Sequence, residues 1–275
     1  MSTLICPGRW ERLLLCTDGS PASQGAVNAA LALGRACGSQ VQALHVVEVN
    51  PVFEAQVADL MGFLEEEMFS PLKAQAAQLG VALTTRVCRS AAAYAAVLEE
   101  AEKLQPDLIV MGRHGRSGLT RLMLGSVTAR VIGLSPFKVL VVPRGATLSF
   151  QRLLVASDGS PDSEAAWEEA LAITRAAGGK LLAVAVAREE GEFPQVQARL
   201  DRLLASANRQ GVPVETRMLQ GVPDDAIVQA ALDSQADLIL MGRRGRTGLS
   251  RLLLGSVAER VIGQTPCPVM IVKRK

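Results

Sequence analysis

Short apolar runs alternate with longer amphipathic stretches along this chain, and the whole series occurs twice. Leu13 to Thr17 is a compact apolar run of the kind that forms a strand buried on both faces. Asp18-Gly19-Ser20-Pro21 ends it, with Ser20 predicted as an N-cap and Pro21 as the first helical residue. The Ala/Leu-rich stretch from Ala22 to Ala36 reads as a helix that stops at Gly38. Val41 to Val49 is β-branched and reads as a second strand. Leu60, Phe63, Leu64, Met68 and Leu72 recur at helical spacing up to Gly80. Val81 to Cys88 predicts a third strand, Ala95 to Leu104 a helix, and Leu108 to Met111 a fourth strand. A last helix from about Ser126 to Ile132 and a strand at Val139 to Val142 close the series.

The second copy is plain from the residues. Arg12-Leu-Leu-Leu-Cys-Thr-Asp-Gly-Ser-Pro21 returns as Arg152-Leu-Leu-Val-Ala-Ser-Asp-Gly-Ser-Pro161. Met111-Gly-Arg-His-Gly-Arg116 returns as Met241-Gly-Arg-Arg-Gly-Arg246. In the second copy Val196, Leu200, Leu203 and Leu204 mark the second helix, ending at Gly211, and Val212 to Leu219 the third strand. Each unit spans about 130 to 140 residues, the size of a domain rather than of a solenoid repeat. The turn formers at Pro143-Arg144-Gly145-Ala146 divide the chain into residues 1–145 and 146–275. Strands joined by helices predict an α/β fold: two repeats of a doubly wound parallel sheet with helices on both faces.

Candidate chemistry gathers at the predicted carboxyl ends of the strands, where open α/β sheets bind ligands. Thr17, Asp18, Gly19 and Ser20 close strand one, as do Ser157, Asp158, Gly159 and Ser160 in the second unit. Val46 and Val186 lie near the end of strand two. After Met111 and Met241, strand four runs into glycines Gly112 and Gly115, or Gly242 and Gly245. These glycines are expected to permit positive φ and close backbone approach, turning amides toward an anion. Gly125-Ser126-Val127 and Gly255-Ser256-Val257 then open a helix, whose free amides and dipole favour a phosphate. Arg113, Arg116 and Arg121, with Arg243, Arg246 and Arg251, flank the loops as electrostatic support or as solvated surface. His114 is a poor candidate for a catalytic base, because Arg244 takes its place in the second unit.

Composition narrows the partners. The net charge is +2, too small for a chain built to neutralise a nucleic-acid backbone. No apolar run approaches the roughly 18 residues that span a bilayer. With two histidines and no clustered ligands, a zinc site is not expected. The five cysteines are scattered without a Cys-x-x-Cys pair, which predicts reduced thiols in a cytoplasmic protein.

Taken together, these residues resemble tandem universal stress proteins, two adenine-nucleotide-binding domains in one chain. The family pattern Gly-x-x-Gly-x(9)-Gly-[Ser/Thr] is matched at Gly112, Gly115, Gly125 and Ser126, and again at Gly242, Gly245, Gly255 and Ser256. The resemblance covers nearly the whole chain. It implies a five-stranded sheet of order 3-2-1-4-5 in each unit, adenine near Asp18 and Val46, and phosphates on the glycine loop and Ser126, with the same in the second unit. It implies ATP as ligand, with Mg²⁺ arriving on the nucleotide, and pairing of the two units through strand five as an internal pseudo-dimer. A homodimer is a further expectation of the same kind. Two departures stand out: Gly221-Val222-Pro223 matches a family Gly-x-Pro where unit one has Ser90-Ala91-Ala92, and the connection after Val186-Ala187-Arg188 is short.

The phosphate loops carry no repeated lysine, and neither unit offers a paired general base. The expected role is therefore an ATP-binding, regulatory or protective protein of a stress response without efficient catalysis. A slow ATPase or autophosphorylating enzyme using Ser126 or Ser256, and an interaction module with vestigial sites, are the alternatives.

Overall fold

Alternate residues of the strands point to opposite sides of a single sheet, and each side is roofed by helices. The computed structural model of the protein describes residues 4–49, 61–115, 124–246 and 254–274. In chain order these form β1 (Arg12–Cys16), α1 (Gln24–Cys37), β2 (Gln40–Glu48), α2 (Met61–Leu79), β3 (Leu83–Ser90), α3 (Ala93–Leu104), β4 (Leu108–Gly112), α4 (Ser126–Leu134) and β5 (Val139–Val142). The second half follows with β6 (Arg152–Ala156), α5 (Pro161–Ala177), β7 (Lys180–Ala187), α6 (Phe193–Arg209), β8 (Val214–Gln220), α7 (Pro223–Asp233), β9 (Leu238–Gly242), α8 (Ser256–Gln264) and β10 (Val269–Val272). Leu60, Arg116, Arg121 and Arg251 lie outside the described residues.

The strands form one ten-stranded sheet in the order β3-β2-β1-β4-β5-β10-β9-β6-β7-β8. Every described pairing within a half is parallel, and β5 meets β10 antiparallel, with Leu140 opposite Met270. The two expected five-stranded units therefore share one continuous sheet, joined through the fifth strand of each. Val139–Val142 and Val269–Val272 are buried along their whole length, so an open edge there would leave apolar side chains and backbone amides exposed to water. Leu13, Leu15, Val110, Leu140, Leu153 and Met270 belong to one core, under α1, α2, α5 and α6. Leu14, Ile109, Val141, Leu154, Ile239 and Ile271 belong to the other, under α3, α4, α7 and α8. Each core draws on both halves, and Trp10 meets Phe150 edge-on at 6.0 Å between ring centroids.

Local chemistry explains where elements start and stop. Asp107 accepts hydrogen bonds from the Glu11 and Arg12 amides (2.7 and 2.9 Å), pinning the start of β1 beside β4. Asp237 does the same for Gln151 and Arg152. Strand three starts two residues later than predicted, at Leu83, because Val81 N–H closes the end of α2 on the Ala76 carbonyl at 2.9 Å, after Gly80 at φ +66.

The two helices after strand one begin differently. In the second half Ser160 is the N-cap, its Oγ accepting from Ser163 N–H at 3.3 Å, and Pro161 opens α5. In the first half the predicted cap fails: α1 starts only at Gln24, because Ser20 Oγ instead donates to Asp18 Oδ1 at 2.7 Å. Ser160→Ala is therefore expected to cost about 1 kcal/mol in chemical denaturation, and Ser20→Ala less than half of that. Equal losses would contradict the assignment of the cap.

The cysteines also depart from expectation. Cys6 and Cys37 form a disulfide, with Cα atoms 4.9 Å apart, while Cys16, Cys88 and Cys267 are free. Their separation of 31 residues hides the pairing; it arises because the segment before β1 packs against the end of α1. Among the described residues no helix is long and apolar enough to cross a membrane.

Candidate functional site

At the carboxyl ends of β6, β7 and β9 the second half encloses a cavity of about 750 Å³, within the range of small-molecule pockets. Its lining brings together residues from well-separated stretches of sequence. Ser157 and Asp158 come from the end of β6, and Val186 from β7. Met241, Gly242, Arg243, Gly245 and Arg246 come from β9 and the loop that follows. Gly255, Ser256 and Val257 come from the start of α8. Gly159 and Ser160 stand beside the cavity as the turn that shapes Asp158: Gly159 adopts φ +79, and Ser160 N–H donates to Asp158 Oδ1 at 3.0 Å. Asp158 Oδ2 accepts from Arg246 N–H at 2.8 Å. Burial by itself would raise the Asp158 pKa, but hydrogen bonds led by those from Ser160 more than offset it and hold the carboxyl below its ordinary range.

The loop glycines meet only half of the expectation. None of Gly112, Gly115, Gly125, Gly242, Gly245 or Gly255 has a positive φ; the left-handed positions are Gly19 and Gly159 in the Asp-Gly-Ser turns. Close approach is what requires the loop glycines. A Cβ on Gly245 would lie 2.6 Å from Asp158 Oδ2, and one on Gly242 would lie 2.7 Å from the backbone of Asp162 and Ser163. The loop is closed at its base by Gly255 N–H on the Arg243 carbonyl at 3.0 Å, so the first turn of α8 faces the cavity. Its leading amides lack intrahelical partners, as at any helix start, and are available to an anion.

The first half repeats this geometry with variations. Thr17 Oγ1 lies 2.9 Å from Ser23 Oγ, and Gly19 N–H donates to Thr17 Oγ1 at 3.2 Å. Asp18 Oδ1 accepts from Ser20 N–H at 3.0 Å, and a Cβ on Gly115 would lie 2.9 Å from Asp18 Oδ2. Gly125 N–H closes the loop on the Arg113 carbonyl at 2.9 Å, and Thr128 Oγ1 donates to the Gly112 carbonyl at 3.0 Å. Ser126 is the first residue of α4, followed by half-buried Val127. Met111 is buried at the end of β4, and Val46 is half-buried on β2. His45 Nδ1 lies 3.0 Å from the Thr17 carbonyl. Burial and the neighbouring Arg113 lower the His114 pKa.

Two of the loop arginines reach across to the other half of the chain. Arg113 Nη1 donates to the Gly263 carbonyl at 2.8 Å and its Nη2 to the Thr265 carbonyl, at the far end of α8. Arg243 Nη1 donates to the Gly133 carbonyl at 2.5 Å, at the end of α4. Each half thus holds the last turn of the other half's loop helix, cation against the negative pole of a helix. Of the remaining loop arginines, Arg246 faces the cavity and Arg116 lies outside the described residues.

A sequence model of the universal stress protein family matches residues 9–143 and again 149–273. The chain belongs to the universal stress protein family. A universal stress protein of Synechocystis is 26% identical over 94% of this chain and 99% of its own length, so the tandem arrangement has a relative of matching extent. A universal stress protein of Methanocaldococcus jannaschii is 35% identical over 49% of this chain and 88% of its own. Among solved structures, a universal stress protein from Archaeoglobus fulgidus superposes with a TM-score of 0.77 at 23% identity, covering 96% of this chain and 98% of that one, which supports the α/β fold.

Several residues of this universal stress protein's cavity were not singled out by sequence. Arg188, Glu192, Gln195 and Arg199 line it from the end of β7 and from α6, and Pro223 and Ile227 from α7. The first four fall in the stretch where the two repeats diverge most, so repetition could not flag them. Pro223 was visible only as part of Gly221-Val222-Pro223. Among the described residues there is no group of three or more His, Cys, Asp or Glu suited to hold a metal ion.

Proposed function

We propose that this chain binds adenine nucleotide, ATP foremost, in the cavity beneath α8 and at the corresponding place beneath α4, and that it serves a regulatory or protective role in stress response. The observation that carries this reading is the second-half cavity itself. It combines a hydrogen-bonded carboxylate (Asp158), an apolar wall (Val186, Met241), and a glycine loop leading into a helix start at Gly255-Ser256. An apolar wall suits a base, the carboxylate suits amino or hydroxyl donors, and the helix start suits phosphate. Mg²⁺ would arrive on the phosphates, which need few protein ligands for it.

The proposal extends to the organisation of the chain. Residues 1–145 and 146–275 act as two nucleotide-binding domains, each a five-stranded unit in the order 3-2-1-4-5, joined as an internal pseudo-dimer in the cytoplasm. The two family-model matches, the mirrored strand order about β5 and β10, and the reciprocal arginine bonds support that arrangement. The proposed role is one of holding nucleotide rather than cleaving it, with the cavity carboxylate Asp158 engaged by the Ser160 and Arg246 amides.

Mass spectrometry of small molecules released from freshly purified protein should detect an adenine nucleotide. Adding ATP to nucleotide-free protein at about 100 times its Kd should stabilise the fold by about 2.7 kcal/mol. No released nucleotide together with no shift in Tm at millimolar ATP would refute the reading.

A further inference from the structure

The two halves diverge in charge where they converge in fold. Helix α2 and helix α6 correspond through the buried residues Phe69 and Leu200, Leu72 and Leu203, Ala76 and Ala207. In that register Met68 of the first half occupies the place of Arg199 in the second. The geometry of the turns agrees. A Cβ on Gly19 would touch the Met68 methyl at 3.1 Å, and one on Gly159 would touch Arg199 Nε at 2.9 Å. Two further positions change in the same sense: Glu48 becomes Arg188, and His114 becomes Arg244.

Arg199 is 8% exposed and lines the cavity, and its Nε is buried with no hydrogen-bond partner among the described residues. Leaving such a group unsatisfied in the free protein costs stability unless a ligand completes it. Its charged neighbours are Asp158, Glu192, Arg202 and Arg246. Asp158 already accepts bonds from Ser160 and Arg246, and Glu192 accepts from the Arg188 amide at 2.7 Å. Arg199 therefore sits against the Asp158-Gly159 turn, with Arg246 of the glycine loop among its charged neighbours and their nearest carboxylates already engaged. Like charges held this way are relieved by an anion with several oxygens, and a guanidinium fork suits phosphate.

We propose that Arg199 makes the second-half cavity selective for the polyphosphate form of the nucleotide over the monophosphate, and that the first half, with Met68 in its place, lacks this selectivity. This rests on the nucleotide reading above. Arg199 acts as a specificity residue toward the phosphoryl chain.

The test is calorimetry on the full chain with ATP and with AMP at one fixed salt concentration, comparing wild type with Arg199→Met, Arg199→Lys and Met68→Arg. Loss of a charge-assisted hydrogen bond predicts that Arg199→Met weakens ATP binding about tenfold or more, while AMP binding stays within about threefold. Arg199→Lys should fall between the two, keeping charge and losing the fork. Met68→Arg should raise the preference for ATP at the first half. Since methionine already occupies the matching position of α2, Arg199→Met is expected to fold, and far-UV circular dichroism checks it; the Lys variant decides if it does not. An unchanged ratio of ATP to AMP affinity in both Arg199 variants, or equal losses for both ligands, overturns the proposal and leaves the nucleotide reading standing. A wild-type protein that binds neither ligand at millimolar concentration removes the nucleotide reading, and this inference with it.

Discussion

Arg243→Met is expected to destabilise the protein by about 2–4 kcal/mol, although the residue lies in a loop that a sequence reading assigns to ligand binding. The residue is 3% exposed, and its guanidinium donates to the Gly133 carbonyl at the end of α4, across the junction of the two halves. Removing it orphans that carbonyl. It also takes one of two cations away from Asp162, whose buried Oδ2 lies 4.0 Å from both Arg243 Nε and Arg244 Nε and has no hydrogen-bond partner among the described residues. Orphaned buried polar groups account for many of the large single-residue losses seen in proteins. Arg113→Met, which removes the reciprocal bonds to Gly263 and Thr265, should also destabilise, and the pair should be non-additive because both hold one junction. Urea unfolding reads all of this. A midpoint for Arg243→Met equal to wild type would show that the junction does not depend on the arginine.

The second large effect is expected at Gly242, where a single methyl group has nowhere to go. In Gly242→Ala the new Cβ would lie 2.7 Å from Asp162 C and Ser163 N, both backbone atoms in the first turn of α5. Backbone cannot swing aside as a side-chain tip can, so β9 must draw back from α5 at a cost of about 1–3 kcal/mol. The same shift carries Gly245 and the loop away from Asp158, so ATP binding should weaken together with stability. Gly112→Ala supplies the control. Its nearest atom, the Ala22 carbonyl oxygen, lies at 3.2 Å, and a few tenths of an ångström of adjustment would suffice. Thermal melts and calorimetry should therefore separate the two variants, with Gly242→Ala the worse in both. Equal penalties at the two positions would mean that the clash is absorbed elsewhere.

The site was legible in outline and not in detail. Asp158, Gly242, Gly245, Gly255 and Ser256 were visible because each recurs in the same place relative to a strand end, and all five meet at one cavity. Arg199 was not visible, because a lone arginine on an amphipathic helix has no local feature that separates a buried guanidinium from a solvated one. Arg113 and Arg243 carried the right residue type for phosphate, yet their partners lie about 110 to 150 residues away in sequence, beyond any spacing rule. Of the two properties expected of the loop glycines, close approach is seen and positive φ is not. A loop glycine forced by close packing and one forced by positive φ look identical in sequence, and Gly245 and Gly159 are one of each.

What the sequence determined by itself was the order of strands and helices, the duplication, and the glycine loop between the fourth strand and the last helix of each unit. Those features arise from residues near one another in the chain: apolar runs, helical periodicity and turn formers act within a few positions. Tertiary structure fixed how β5 and β10 join the halves into one sheet, antiparallel and with Leu140 opposite Met270. It also paired Cys6 with Cys37 and sent Arg113 and Arg243 across the junction. Each of these depends on two segments distant in sequence arriving at one place. At Gly19 and Gly159 the turns are nearly the same, and the helix packed above makes the difference, presenting a methionine to one and to the other an arginine whose Nε has no hydrogen-bond partner among the described residues.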